Sequence, residues 1–180
     1  MNSVFHDLYD HYHQDLFKFL IYLTRDRDLA EDLVQEVYVR VLKSYDRFKG
    51  NSSEKTWLFS IAKNVAVDHF RKQKTLKRRI LERFEHTSED ILDPSKLPEE
   101  IILQSEEIRR VFACLSLCTL DQQMVIITRY IQEFSIDETA HILGWTKSKV
   151  KTTQHRALNV LREKLKNDET KEALFYEGNK

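Results

Sequence analysis

Apolar residues recur at helical spacing along most of this chain. Val4, Leu8, Tyr12, Leu16, Phe19, Leu20 and Leu23 form a first stripe and predict a helix over Val4 to Leu23. Asp28 with Glu31 three residues later resembles a capping box, with Asp in place of Ser or Thr. The stripe that follows is Leu29, Leu33, Val34, Val37, Val41 and Tyr45. Asp46 to Ser53 reads as a loop by composition. A third helix runs from about Glu54, with Trp57, Ile61, Val65 and Phe70 on or near one side. Periodicity fades between Glu85 and Pro98, where both prolines lie, and resumes with Ile101, Ile108, Val111, Phe112 and Leu115. Further helices are predicted from Thr119, where Gln122 completes a capping box, from Ser135 and from Thr146.

Composition agrees with helices and excludes several chemistries. The 180 residues include only 3 glycines and 2 prolines, too few for turn-rich β folds or a phosphate-cradling glycine loop. No eighteen-residue window is free of charge, so no transmembrane span is expected. The opening Met1-Asn-Ser-Val-Phe-His-Asp has no basic n-region, so no signal peptide is expected. Two cysteines make no disulfide framework and suit the reducing cytoplasm. Cys114 and Cys118 can share a helix face, but no third ligand lies near, and they read as buried thiols. His11 and His13 fall on different faces and make a poor metal pair. No nucleophile, base and orienting group are legible together. The expectation is therefore no catalytic residues, no metal and no cofactor.

Charge changes the picture more. Lys plus Arg and Asp plus Glu number 29 each, yet the signs are sorted into blocks. Between Lys63 and Arg83, eight bases face only Asp68 and Glu82. Between Glu85 and Glu107, eight acids face only Lys96, and between Lys147 and Lys166 seven bases face only Glu163. Two basic segments around an acidic one suit two polyanion-binding surfaces, although a charge run is also an ordinary solvated helix face. The acidic segment is expected to avoid the polyanion. The whole predicts an all-α protein: two small helical domains, 1–84 and 101–166, joined by an acidic flexible linker, 85–100, with a tail over 167–180.

The second domain carries the sharper motif. Ser135 and Glu138 form a capping box, Ala140 allows close helix approach, and Gly144 supplies the positive φ that ends a helix. Val150, with Ile136 and Leu143, fills the angle to the next helix, which Thr146 caps. That spacing is that of a helix-turn-helix, the alternative being an ordinary αα-hairpin with a solvated basic face. On the second helix Val150, Ala157, Leu158 and Leu161 point inward, while Ser148, Lys151, Thr152, His155 and Arg156 form an outer polar strip suited to a major groove. In the first domain, Asp28, Asp32 and Gln35, with Glu31 and Glu36 beside them, oppose the valine stripe. They are either solvated or a docking strip for a basic partner.

Two long runs carry a resemblance. Asp28-Leu-Ala-Glu-Asp-Leu-Val-Gln-Glu-Val-Tyr-Val-Arg-Val-Leu42 and Lys55-Thr-Trp-Leu-Phe-Ser-Ile-Ala-Lys-Asn64, with Asp68 and Arg71-Lys72, resemble domain 2 of the sigma-70 family of RNA polymerase factors. Phe134 to Ala140 and Ser148 to Ala157 resemble its domain 4. The short acidic linker is similar to that of the extracytoplasmic-function group. The resemblance implies that Asp32, Gln35 and Glu36 dock on core RNA polymerase. It implies that Phe48, Ser52 and Ser53 belong to the loop that receives a flipped −10 base. Asn64 lines that pocket, and Arg71 and Lys72 follow on the −10 side. It implies −35 reading by Lys151, Thr152, His155 and Arg156 beside Ser148, with Lys147 and Lys149 positioning the backbone. The partners implied are core polymerase, promoter DNA and an anti-sigma factor, soluble or membrane-bound, with no small-molecule substrate. Trp57 reads either as core or as part of base capture. The alternative function is a stand-alone helix-turn-helix DNA-binding regulator.

Overall fold

A computed structural model describes residues 2–83 and 105–177, so the acidic linker expected over 85–100 lies outside the described residues. Helix α1 (Asn2–Thr24) is followed, after two residues, by α2 (Arg27–Ser44). The sequence predicts that α2 starts at Asp28. It starts one residue earlier because Asp26 is the cap, its carboxylate accepting from the Leu29 amide at 3.0 Å. Arg27 is then free to pair with Glu31 at 3.0 Å, one turn along. A short 3-10 turn (Tyr45–Arg47) and a loop lead to α3 (Glu54–Arg83). The second group holds α4 (Glu106–Leu115), α5 (Leu120–Ile126), a π-helical turn (Ile127–Ile131), α6 (Ile136–Leu143) and α7 (Lys147–Glu177). Helix α7 continues past Lys166 to Glu177.

The stripes predict the core of α1 and α2 well. Leu8, Leu16, Phe19, Leu20 and Leu23 are buried on α1, and Leu33, Val34, Val37 and Val41 on α2. Helix α3 differs. Its most buried side chains are Leu58, Phe59, Ala62, Val65 and Ala66, while Trp57, Ile61 and Phe70 are only partly buried. The reason is that α3 packs against α1 and α2 on one side and against α6 on another. A single periodic stripe describes only one of those sides.

The two groups meet in a seam built on aromatic rings. Phe59 of α3 lies between Phe19 of α1 and Phe134, with ring centroids 5.4 Å and 4.9 Å away, both edge-on. Lys55 pairs with Asp15 at 3.0 Å and sits 5.2 Å from the Phe134 ring. The Gln132 amide donates to the Asp15 backbone carbonyl at 3.1 Å. At the other end Tyr22 packs on Phe112, ring centroids 4.3 Å apart, and Arg25 donates to the Phe112 carbonyl at 2.7 Å. The sequence predicts two separate small cores; the buried residues of both groups form one connected cluster.

Strain is placed at this seam. Among the described residues, Arg25 and Glu133 are the non-glycine residues with positive φ, both at 59°, and both adjoin seam contacts. Left-handed backbone costs an L-residue roughly 1–2 kcal/mol. Glu133→Gly is therefore expected to raise stability by about 0.5–1 kcal/mol, read as an upward shift of the thermal midpoint. Phe59→Ala, which empties the seam's central site, should cost about 3–5 kcal/mol in denaturant titration.

Candidate polymerase and promoter surfaces

The helix-turn-helix is assembled by local backbone chemistry. Ser135 accepts from the Glu138 amide at 3.2 Å, and Glu138 accepts from the Ser135 amide at 2.8 Å. Hydrogen bonding from the Ser135 amide first, then from its hydroxyl, and last the nearby Lys55 ammonium hold the Glu138 carboxyl below its ordinary value, against the opposing effect of burial. At the far end Gly144 adopts φ 68° and ψ 36°. The Trp145 amide then reaches the Ala140 carbonyl at 2.9 Å and the Gly144 amide the His141 carbonyl at 3.3 Å, a Schellman ending. Val150 and Leu143 are buried in the angle, and Thr146 caps α7 through the Lys149 amide at 3.1 Å.

That turn sets the outer strip of α7 in solvent. Lys147, Ser148, Lys149, Lys151, Thr152, His155 and Arg156 are all exposed. Their partners divide them. Lys147 pairs with Asp137 at 2.8 Å; Lys149 pairs with Asp121 at 3.4 Å and lies 3.8 Å from the Trp145 ring centre. His155 Nε2 is 3.2 Å from Asn159, which also accepts from Arg162 at 2.9 Å. Among the described residues no hydrogen bond or ion pair engages Lys151 or Arg156. Thr152 and Arg156 line a polar cavity of about 550 Å³ between α7 and the start of α5, with Thr119 and Gln122 across from them.

Sequence reasoning missed a bracket behind this strip. Arg129, in the π-helical turn, donates to Gln154 at 3.2 Å and to the Phe134 carbonyl, and Gln154 donates to the Tyr130 hydroxyl at 2.9 Å. Neither periodicity nor charge marks these residues, because the π turn shifts the register by which they meet.

On the first group, Trp57, Asn64 and Arg71 follow one another at seven-residue steps and so share one stripe of α3, about 21 Å long. That is about the length of six stacked nucleotides at 3.4 Å each. Phe48 and Tyr45 pack on Trp57 with centroids 4.9 Å and 5.8 Å away, and Tyr45 donates to Glu54 at 3.1 Å. Trp57 thus joins the rim of the core and the loop side at once. Gly50 takes φ 68° where the loop reverses. Ser53 is spent on the helix start, accepting from the Thr56 amide at 3.1 Å, whereas Ser52 makes only a long contact to the neighbouring carbonyl. Asn64 is exposed and accepts from Lys63 at 2.8 Å. Burial pushes the Lys63 ammonium down, partly offset by Asp68. Lys72 is exposed, and so is Arg71, which pairs with Asp68 at 3.1 Å.

The acidic strip is exposed along α2: Asp32, Gln35 and Glu36. Glu36 holds Arg40 at 2.9 Å, and Arg40 reaches Asp68 at 3.2 Å. An ion-pair chain therefore runs from the strip to Arg71, and the Glu36 hydrogen bond leads the causes that raise the Arg40 value. Val39 and Leu42 lie outside the stripe of Leu29 to Tyr45, continue the exposed face, and are 43% and 48% exposed. Gln35 lies at the lip of a cavity of about 670 Å³ between α1 and α2, lined by Tyr9, His13, Phe17 and Tyr38. Cys114 and Cys118 are buried, and burial raises the Cys118 thiol, which makes it a poor nucleophile. Among the described residues no helix is long and apolar enough to cross a membrane, and no three metal-binding side chains cluster.

Known proteins share this arrangement. The model of Sigma-70 region 2 matches residues 8–75, and that of Sigma-70, region 4 matches 119–163. The ECF RNA polymerase sigma factor SigX of Bacillus subtilis is 55% identical over 162 residues, covering 90% of this chain and 84% of SigX. The RNA polymerase sigma factor YlaC of the same organism is 34% identical over 152 residues, covering 84% of this chain and 86% of YlaC. Among solved structures, the sigma factor RpoE of Bartonella quintana, in complex with the anti-sigma factor NepR, aligns with a TM-score of 0.72 at 26% identity, over 91% of this chain and 98% of RpoE. CnrH, in complex with the cytosolic domain of CnrY, shares the fold with a TM-score of 0.67 at 21% identity, over 93% of this chain and 91% of CnrH.

The Glu138 shift has a measurable consequence. A carboxyl whose folded value is depressed stabilises the fold above its ordinary value near 4.5, and that contribution is lost as pH falls through the folded value. Glu138→Gln should flatten this part of the pH–stability profile, read by thermal melts between about pH 6 and pH 3.

Proposed function

The chain belongs to the sigma-70 family of RNA polymerase factors, in its extracytoplasmic-function group, and from that premise we propose how its surfaces divide the work of promoter recognition. It is a promoter-specificity factor: it binds core RNA polymerase and directs transcription initiation. Its working partners are core polymerase and promoter DNA. The chain contributes recognition, and the chemistry of RNA synthesis belongs to the polymerase. We assign it to the cytoplasm, where polymerase and chromosome are. An anti-sigma factor, of the class that holds the Bartonella relative, is its proposed inhibitor.

The α2 strip is the proposed dock for the polymerase. Asp32, Gln35 and Glu36 supply polar contacts, and Val39 and Leu42 supply the apolar centre that interfaces use for most of their energy. Exposed ion pairs are worth about 0–1 kcal/mol each, so the acids alone act in a graded way. Asp32→Ala with Gln35→Ala and Glu36→Ala should weaken polymerase affinity and leave helicity unchanged, and adding Leu42→Ser should weaken it further. Competition binding to core polymerase with circular dichroism decides the point; unaltered affinity removes the assignment.

The α3 stripe is the proposed −10 reader. Phe48 and Ser52 form the loop wall, Ser53 fixes that loop to the helix, Asn64 offers a hydrogen bond to a base, and Arg71 and Lys72 hold the backbone. Bases leaving the stack gain about 1–3 kcal/mol each from aromatic contact. Strand opening needs such a return.

The strip on α7 is the proposed −35 reader, and the observation that carries it is the split in partners. Lys147 and Lys149 already balance acids and suit phosphate positioning, while Lys151 and Arg156 point outward with Thr152 and His155 between them. Arg on guanine contributes about 1–3 kcal/mol of discrimination. Arg156→Ala holoenzyme should lose preference for the matched over a −35-scrambled promoter. Lys151→Ala should lose affinity for both and shed about one unit of salt slope if it contacts phosphate. The decisive experiment for the whole reading is co-elution with core polymerase followed by promoter-dependent run-off transcription. Tight duplex binding by the chain alone, with no polymerase binding, would favour a stand-alone regulator.

A further inference from the structure

The outer face of α7 divides into two rows. Lys149, Thr152 and Arg156, at three- and four-residue steps, line the cavity beside the start of α5. Lys147, Lys151 and Gln154 follow at similar steps along the other edge, and Gln154 is half-buried where the exposed face meets the packed one. An α-helix with its side chains is about 10–12 Å across, and the major groove is about 12 Å wide. A helix laid in that groove fills it, and whatever stands beside the helix meets the sugar–phosphate wall. Beside the Gln154 edge stands Tyr130, 49% exposed, in the π-helical turn Ile127–Ile131.

Hydrogen-bond chemistry fixes what Tyr130 can offer there. Arg129 donates through Nε to Gln154 Oε1 at 3.2 Å. A guanidinium has donors only, so the amide must turn its oxygen to Arg129 and its nitrogen away. That nitrogen, Nε2, donates to the Tyr130 hydroxyl oxygen at 2.9 Å. The hydroxyl is thus the acceptor toward Gln154, and its single hydrogen is directed elsewhere. Among the described residues no acceptor takes that hydrogen. Arg129 is itself anchored, because its other arm donates to the Phe134 carbonyl. The turn that carries both residues is closed by the Gln132 amide on the Ile127 carbonyl at 3.0 Å and the Phe134 amide on the Thr128 carbonyl at 3.2 Å. Backbone, guanidinium and amide together hold the phenol against α7 and leave one O–H donor for an acceptor outside the chain. An ionised acceptor makes the stronger bond to such a donor, and the neighbouring row holds Lys147 and Lys151. Phosphate oxygens take much of their protein contact from side chains of this kind, tyrosine included.

We propose that Tyr130 is a further promoter-contacting residue, its hydroxyl donating to a backbone phosphate at the flank of the groove that α7 enters. Gln154 is then the positioning residue that sets the direction of that hydroxyl. This contact rests on the α7 strip being the −35 reader. It differs from the contacts of the lysines in two measurable ways. A neutral donor neutralises no phosphate, so it adds affinity without adding salt slope. A phosphate carries no sequence information, so the contribution is the same on matched and −35-scrambled DNA.

The test measures promoter binding by the holoenzyme, with single uncharged methylphosphonate linkages stepped along both strands of the −35 element. Tyr130→Phe keeps the ring and removes only the hydroxyl. It should bind about three- to tenfold more weakly on both templates, with salt slope, helicity and thermal midpoint unchanged. One linkage position should cost the wild type about that factor more than it costs Tyr130→Phe. Gln154→Leu should weaken binding about two- to fourfold with Tyr130 present and no further in the Tyr130→Phe background. Wild-type affinity in Tyr130→Phe, or a loss that no linkage position shares, overturns the contact. Additive losses in the double variant overturn the positioning role of Gln154. Arg156→Ala separates this contact from the reading beneath it. If that variant keeps full preference for the matched promoter, the α7 reading falls and the Tyr130 contact with it. If it loses the preference while Tyr130→Phe is silent, the Tyr130 contact alone falls.

Discussion

Phe59 is the point on which the arrangement of the chain turns. Its ring meets Phe19 on one side and Phe134 on the other, with no exposed surface left. A core of roughly eighty residues buries too little apolar area to be robust alone, and one of sixty-five residues still less. Sharing an aromatic at the boundary lets each group shield the other's weakest edge. The polar groups around the ring are satisfied across the same boundary: Asp15 by Lys55 and Gln132 together, Phe112's carbonyl by Arg25.

Two long helices translate that core into function, because each has opposed faces. Helix α3 turns Phe59 and Ala62 inward and carries Asn64, Arg71 and Lys72 outward. Helix α7 buries Val150, Ala157 and Leu161 and exposes the strip from Ser148 to Arg156. The exposed groups of each helix therefore stay solvated while its opposite face is buried. The ion-pair chain Glu36–Arg40–Asp68–Arg71 links the acidic strip of α2 to the basic end of the α3 stripe, its two central side chains, Arg40 and Asp68, being only about a third exposed.

Electrostatics are managed locally. With 29 charges of each sign, the chain has little net field to steer it onto DNA at long range. Placing Asp137 and Asp121 beside Lys147 and Lys149 lowers the free positive charge at the flanks of the strip, while Lys151 and Arg156 keep theirs. On the DNA-reading role proposed for this strip, non-specific affinity, which follows phosphate neutralisation, would be restrained relative to contacts made at the strip's centre.

Much of this was legible in the sequence, because helical periodicity and capping are local. The capping boxes at Thr119 and Ser135, the αL ending at Gly144, the inward Val150 and the exposed polar strip of α7 are all decided within a few residues of one another. Burial of Phe59 was not legible: α3 is buried on two sides, and periodicity describes one. The bracket of Arg129, Gln154 and Tyr130 depends on a π turn that no spacing rule announces. The seam itself belongs wholly to tertiary structure, because its partners lie more than seventy residues apart, and only packing brings Asp15, Phe59 and Phe134 within reach of one another.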